Sequence, residues 1–272
     1  MLKTRIITAV ILLAVLLSVL FSQSFIFFAL VAAAFFGAAA WECFRLFQNR
    51  RPVIGAILWS VAFVFIVFKG DLSRVNLLFG LCAAVWVFRL TPSLVVGLPE
   101  AGSVNNRLLN GIYGIAILGC FLAIAVLFQH SPQYLLSVMA LVWIADIGAY
   151  FSGKAFGRHK LAPSISPGKS WEGAIGGWLA VLMITAATTL YPALADTFPA
   201  RVQMKWGWAG FAAVMTLLVA ASIVGDLFES QLKRRASMKD SSNLLPGHGG
   251  VLDRIDALIP TLPLAILIDS WL

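Results

Sequence analysis

The 272 residues include 60% hydrophobic and only 12% charged side chains, and the mean hydropathy is +0.91. Soluble domains carry about 25% charged residues, so this chain cannot build a polar surface all round, and lipid must cover much of it. The net charge of +8 would suit nucleic acid, an anionic membrane or a phosphorylated ligand, but there is no long basic tail, and the reading is a membrane without nucleic acid.

Nine apolar stretches are long enough, or nearly so, to cross roughly 30 Å of hydrocarbon at about 1.5 Å per residue. In chain order they cover approximately 5–21, 25–41, 53–68, 76–95, 109–128, 134–152, 173–191, 207–225 and 257–272. The first follows Lys3 and Arg5, lacks a small-residue cleavage site and is read as a retained span. The last contains Pro260 and Pro263. The prediction is an all-α polytopic membrane helix bundle of about nine transmembrane helices. It forms one integral membrane domain over 1–272, with helices of 1–130 mainly structural and 134–272 catalytic.

Cys43, Cys82 and Cys120 are odd in number and widely spaced within apolar runs, so neither a disulfide framework nor a metal site is expected. Most tryptophans are read as interface anchors. Gly173, Gly176 and Gly177 suit close helix packing.

Lys and Arg are retained in short cytoplasmic loops. With the N-terminus inside, it and the even-numbered loops hold fifteen of the 20 basic residues. The odd-numbered loops hold Lys69, Arg74, Arg201 and Lys205, and Arg89 falls within the fourth span. The N-terminus is therefore expected in the cytoplasm and the C-terminus outside, with Arg45, Arg50 and Arg51 as topology charges.

Two inside loops, 153–172 and 226–256, together with Asp146, hold nine basic and seven acidic residues. Charge of both signs at that density suggests a site. The eighth span should continue as a helix past Gly225, bringing Asp226, Glu229 and Lys233 onto one face. An acidic group where lipid gives way to water is a functional candidate, with a helix-end ion pair as the alternative. Pro246 to Gly250 form a turn whose glycines allow close backbone approach to phosphate oxygens. Asp253, Arg254 and Asp256 follow at the edge of the ninth span. Magnesium takes oxygen ligands from one or two carboxylates plus substrate phosphates.

Residues 230–256 resemble the signature of the phosphatidate cytidylyltransferase family. It reads here Ser230, Leu232, Lys233-Arg234, Lys239-Asp240, Ser242, Leu245-Pro246, His248-Gly249-Gly250-Val251 and Asp253-Arg254-Ile255-Asp256. Ser166-Pro167-Gly168-Lys169-Ser170-Trp171-Glu172 resembles the family's second polar block; it is not a P-loop, because the upstream glycine and the preceding strand are absent.

The resemblance implies attack of phosphatidate's phosphate on the α-phosphorus of CTP, giving CDP-diacylglycerol and pyrophosphate at the cytoplasmic face of a bacterial inner membrane. It implies catalytic roles for Asp226, Asp253, Lys233, Lys239 and Arg254. Substrate contacts fall to Ser166, Lys169, Ser230, Arg234, His248, Gly249 and Gly250. Metal ligation by Asp226, Asp253 and Asp256 would hold Mg2+, with a second metal ion left open; Asp146, inside the sixth span, reads from its position as a further metal-site carboxylate or as a helix-packing polar group. His248 is not assigned as a base, since lipid phosphate is already nucleophilic. Lipid entry is expected between the sixth, eighth and ninth spans, and the small residues of 30–40 suit a homodimer.

A CDP-alcohol phosphotransferase would need a D-G-x2-A-R block, which is absent. A polyprenyl-phosphate transferase would share metal-bound carboxylates at the interface. A transporter would carry intramembrane charges and broken helices in both halves, whereas here they cluster in the C-terminal half.

Overall fold

The computed structural model describes residues 2–22, 24–72 and 75–272. Arg74 and the side chain of Arg5, both counted in the charge asymmetry, lie outside the described residues. The helices are α1 (Leu2–Phe21), α2 (Phe25–Leu46), α3 (Pro52–Lys69), α4 (Asn76–Val96), α5 (Val104–His130), α6 (Pro132–Phe156), α7 (Trp171–Thr188), α8 (Phe198–Arg235), α9 (Leu252–Ile255) and α10 (Leu258–Asp269). The small antiparallel hairpin of β1 (Lys160–Ala162) and β2 (Ser166–Ser170) joins α6 to α7.

Serine caps begin four of these helices. Ser24, Ser103, Ser131 and Ser170 each accept the amide hydrogen of the residue three positions on, satisfying a donor that has no partner within the helix. α8 holds 38 residues, about 57 Å of helix, and is broken at Gly207, whose φ of 65° is outside the helical region.

Among the described residues seven helices, α2 to α8, are long and apolar enough to cross a bilayer, and α1 adds the shorter apolar run Ile6–Phe21. The ninth predicted span departs from expectation. α10 has 12 residues, about 18 Å, too short to cross the hydrocarbon alone. It is buried along much of its length, including Pro260 and Pro263, so its apolar character reflects interior packing.

The helix ends segregate into two faces. On one face Arg45 reaches the Ser241 carbonyl, Arg235 reaches Pro99 and Asn106, Arg234 reaches the Ile165 carbonyl, and Thr8 reaches the Pro246 carbonyl. On the other, His130 meets Asp196, and Asp269 at the end of α10 meets Tyr134 and Arg201. The N-terminal end and the even-numbered connections thus share one face, and α10 ends at the opposite one, as the charge asymmetry predicted for alternating spans.

α5 is hydrophobic on all sides and sits in the interior. Aromatic contacts knit it to its neighbours, among them Phe121 against Phe36 and Phe63, and Tyr113 against Trp86 and Phe228. The three cysteines are free and buried. A Cβ on Gly177 would lie 2.4 Å from the Ala145 carbonyl oxygen, so glycine is what lets α7 seat against α6. Within residues 30–40, Ala32, Phe36, Ala39 and Ala40 are buried in the chain, and Leu30 and Ala34 are exposed.

Candidate active site

The charged loops fold onto one face and build two connected groups. The first surrounds a cavity of about 410 Å³ between α6, the hairpin, α7 and α8. Asp146 of α6, Lys154, Lys169 of β2, and Asp226 of α8 all line it. Lys169 Nζ is paired with Asp226 Oδ2, and Ser230 donates to Asp226 Oδ1 at 3.3 Å. Asp146 is exposed to the cavity. It lies 10 residues before Phe156, the end of α6 on this face, about 15 Å, so the cavity floor is recessed well below the helix ends.

The hairpin is held in place at its base. Glu172, in the first turn of α7, accepts the backbone amides of Arg158 at 3.1 Å and His159 at 3.2 Å, and its Oε1 lies 2.6 Å from His159 Nδ1. Together with the Ser170 cap, this positions Lys169 over the cavity. Ser166, at the start of β2, is half-buried and is not part of the lining.

The second group orders the loop between α8 and α9. Lys233 bridges Glu229 at 2.7 Å and Asp253 at 2.6 Å, all three being largely or wholly buried. The other Asp253 oxygen, Oδ2, accepts the Ser241 amide and hydroxyl at 2.8 Å each and the Gly250 amide at 2.7 Å. Burial opposes the Asp253 charge, but the Lys233 ammonium and these donors outweigh it and hold the carboxyl below its ordinary value. Both Asp253 oxygens are therefore engaged by the protein itself.

This alters the expected role of the turn. The Gly250 amide, expected to face phosphate, is taken by Asp253, and a Cβ at Gly250 would lie 2.1 Å from Ser241 Oγ and 2.3 Å from Glu42 Oε1. Gly249 is buried, and its carbonyl accepts the Leu245 amide. Their tight packing accounts for the small residues. Arg254 donates to the His248 carbonyl at 2.7 Å, and His248 Nδ1 is buried with no hydrogen-bond partner among the described residues. Lys239 and Arg234 are exposed on the same face. Asp256 accepts the Ala257 amide at 2.8 Å and faces Glu229.

Sequence reasoning missed Glu42 and misread Arg45. Glu42 is fully buried on α2 and accepts the Val251 and Leu252 amides at 3.1 and 2.6 Å and the hydroxyls of Ser241 and Ser242. Arg45, expected to be a topology charge, donates to the Ser241 carbonyl at 2.9 Å and stacks over Trp41. The N-terminal half is thus tied directly into the site. A single acid in an apolar helix carries no local sign of a partner about two hundred residues away.

Among the described residues no three His, Cys, Asp or Glu side chains converge as a ready-made metal cage. The donor set nevertheless fits a hard cation held jointly with a ligand. Asp146 and Asp226 border the same cavity, and magnesium is commonly held by one or two carboxylates completed by substrate phosphates.

Fold and site define a polytopic helical membrane protein with a recessed, mixed-charge cavity suited to anionic phosphates. The chain belongs to the cytidylyltransferase family, whose profile it matches over residues 3–271. It is 44% identical to a phosphatidate cytidylyltransferase of Pseudomonas aeruginosa, covering 97% of this chain and 95% of that protein. It is 37% identical to one of Haemophilus influenzae, covering 97% and 96% respectively.

Proposed function

We propose that this protein transfers the cytidylyl group of CTP to phosphatidate, giving CDP-diacylglycerol and pyrophosphate. An oxygen of the lipid phosphate forms a bond to the α-phosphorus of CTP, and the bond from that phosphorus to the bridging oxygen of pyrophosphate breaks. The observation that carries this reading is the placement of Asp146, Asp226 and Lys169 around one recessed cavity in a chain whose full length matches phosphatidate cytidylyltransferases.

Phosphoryl-type transfer depends on positioning and on charge stabilisation. Lys169 and Lys154 supply positive charge at the cavity, and the Lys169–Asp226 pair keeps both groups oriented before substrate arrives. We assign Arg254, whose guanidinium also holds the His248 carbonyl, to the lipid phosphate. Lys233, Asp253 and Glu42 act as positioning residues that hold the signature loop. Asp226 and Asp146 would hold Mg2+, which supplies neutralisation of phosphate charge when bound.

The basic face that carries the site is assigned to the cytoplasm, and the membrane to the bacterial inner membrane, on the strength of the positive-inside asymmetry. The test is conversion of labelled CTP and phosphatidate by purified protein with magnesium, beside Asp226→Asn. Product from the wild type and about a hundredfold less from the folded variant supports the reading; no product from the wild type in any lipid environment refutes it.

A further inference from the structure

A second cavity, of about 310 Å³, lies one helical turn along α6 from the polar one. Its walls come from α1, α2, α5, α6, α9 with the loop before it and the start of α10, and they are apolar apart from Arg254. The volume falls at the lower end of the roughly 300–1,000 Å³ typical of ligand pockets.

Both cavities are lined by α6. Leu135, Met139 and Trp143 line the apolar cavity, while Asp146 and Tyr150 line the polar one. Their spacing of three and four residues places all five on one stripe of the helix. Along this stripe the surface changes from hydrocarbon-like to charged within one turn, between Trp143 and Asp146. Arg254 borders the apolar cavity and is near enough for its charge to act on Asp146. An apolar cavity bordered by a guanidinium and set one helical turn from a cation-and-carboxylate site matches an amphiphile with a phosphate head.

We infer that this groove is the acyl-chain site for phosphatidate, with the lipid phosphate held at Arg254 beside the Asp146 cavity. The inference rests on the transfer reaction proposed above. It also moves the lipid site from where the sequence put it. α8 and α10 are in close contact where Gly225 meets Asp256 and Pro260, and the open apolar space lies on the α1 and α2 side. α1 forms the outer wall, with Leu16 and Val19 turned inward and Ile7, Val10 and Leu17 exposed. Thr8 ties its basic end to the Pro246 carbonyl at 2.7 Å.

Phosphatidate bearing a diazirine at an acyl terminus tests the site without requiring turnover. Label on peptides containing Leu16, Phe28 or Phe121 is expected; label confined to α7 and α8, or spread over all lipid-facing helices, overturns the inference. As a second measurement, Ala32→Phe should reduce the ratio of kcat/KM for dioleoyl over dihexanoyl phosphatidate about tenfold, the effect of displacing roughly two methylenes from an apolar site. An unchanged ratio counts against the groove even if both activities fall. If wild-type protein labels in the groove yet makes no CDP-diacylglycerol, the lipid site stands and the transfer reaction falls.

Discussion

Glu42 on α2 accepts the hydroxyl of Ser242, 200 residues later in the chain, and with its two oxygens it also takes the Ser241 hydroxyl and two backbone amides that open α9. Two of those donors are the otherwise unpaired amides at the start of a helix, where a negative group is favoured. The loop carrying Lys239 to Asp253 is thereby fixed to a helix of the opposite half of the chain.

Glu42→Gln should therefore damage the loop more than its near-identical shape suggests. The amide end can only donate, so at least one buried donor loses its acceptor, at a cost of about 1–3 kcal/mol. A lower Tm in detergent and faster proteolysis between Met238 and Val251 are expected, together with reduced transferase activity. A variant with unchanged Tm and loop protection would show that Glu42 does not hold the loop.

Lys233 offers a sharper separation of pair from neighbours. Lys233→Met leaves Glu229 and Asp253 buried without their cation, which typically destabilises by about 3–5 kcal/mol. Adding Asp253→Asn should recover part of that loss, because one stranded charge is gone. A double variant that loses the full sum of the single effects would mean the two residues are not coupled. The Asp253 value lies below the ordinary carboxyl value near 3.8. The stability it contributes is thus present above that pH and lost as pH falls through the lower folded value, leaving the neutral range unaffected.

Gly250→Ala tests the packing role assigned to the signature glycine. The added methyl would enter the space of Ser241 Oγ and Glu42 Oε1, and overpacking of this kind costs about 1–3 kcal/mol. Activity and Tm should fall together, and KM for CTP should change little. A selective rise in KM for CTP with unchanged Tm would instead return Gly250 to phosphate binding.

The polar signature was legible because the chain is otherwise so apolar. Asp226, Lys169 and Asp253 stand out against lipid-compatible sequence, and the i, i+4 spacing of Glu229 and Lys233 already implied a shared helix face. The second partner of Lys233 was not legible, since Asp253 arrives through a loop whose path depends on Glu42 and Arg45. The short α10 was misjudged for a related reason. A run of Leu, Ile, Ala and Pro reads alike whether it faces lipid or protein, and only packing against α5 and α8 distinguishes them. Depth was equally hidden, because Asp146 is one acid within an apolar span and its cavity is made by three other elements.

Asp146 and Asp226 share the cavity but differ in their surroundings, and they should respond differently to metal. Asp226 is tied to Lys169 and Ser230, so Asp226→Asn loses both an anionic ligand and the group that orients Lys169. Its activity should stay at least about a hundredfold down at every magnesium concentration. Asp146 is open to the cavity, and its loss removes charge while leaving that pair intact. Asp146→Asn should raise the magnesium needed for half-maximal activity about tenfold, with much of kcat recovered at saturation. Chelation should abolish wild-type turnover, and restoring magnesium should return it. If Asp146→Asn shows the wild-type magnesium curve, this carboxylate does not share the cation, and its place at the junction with Arg254 would point to orienting the lipid phosphate.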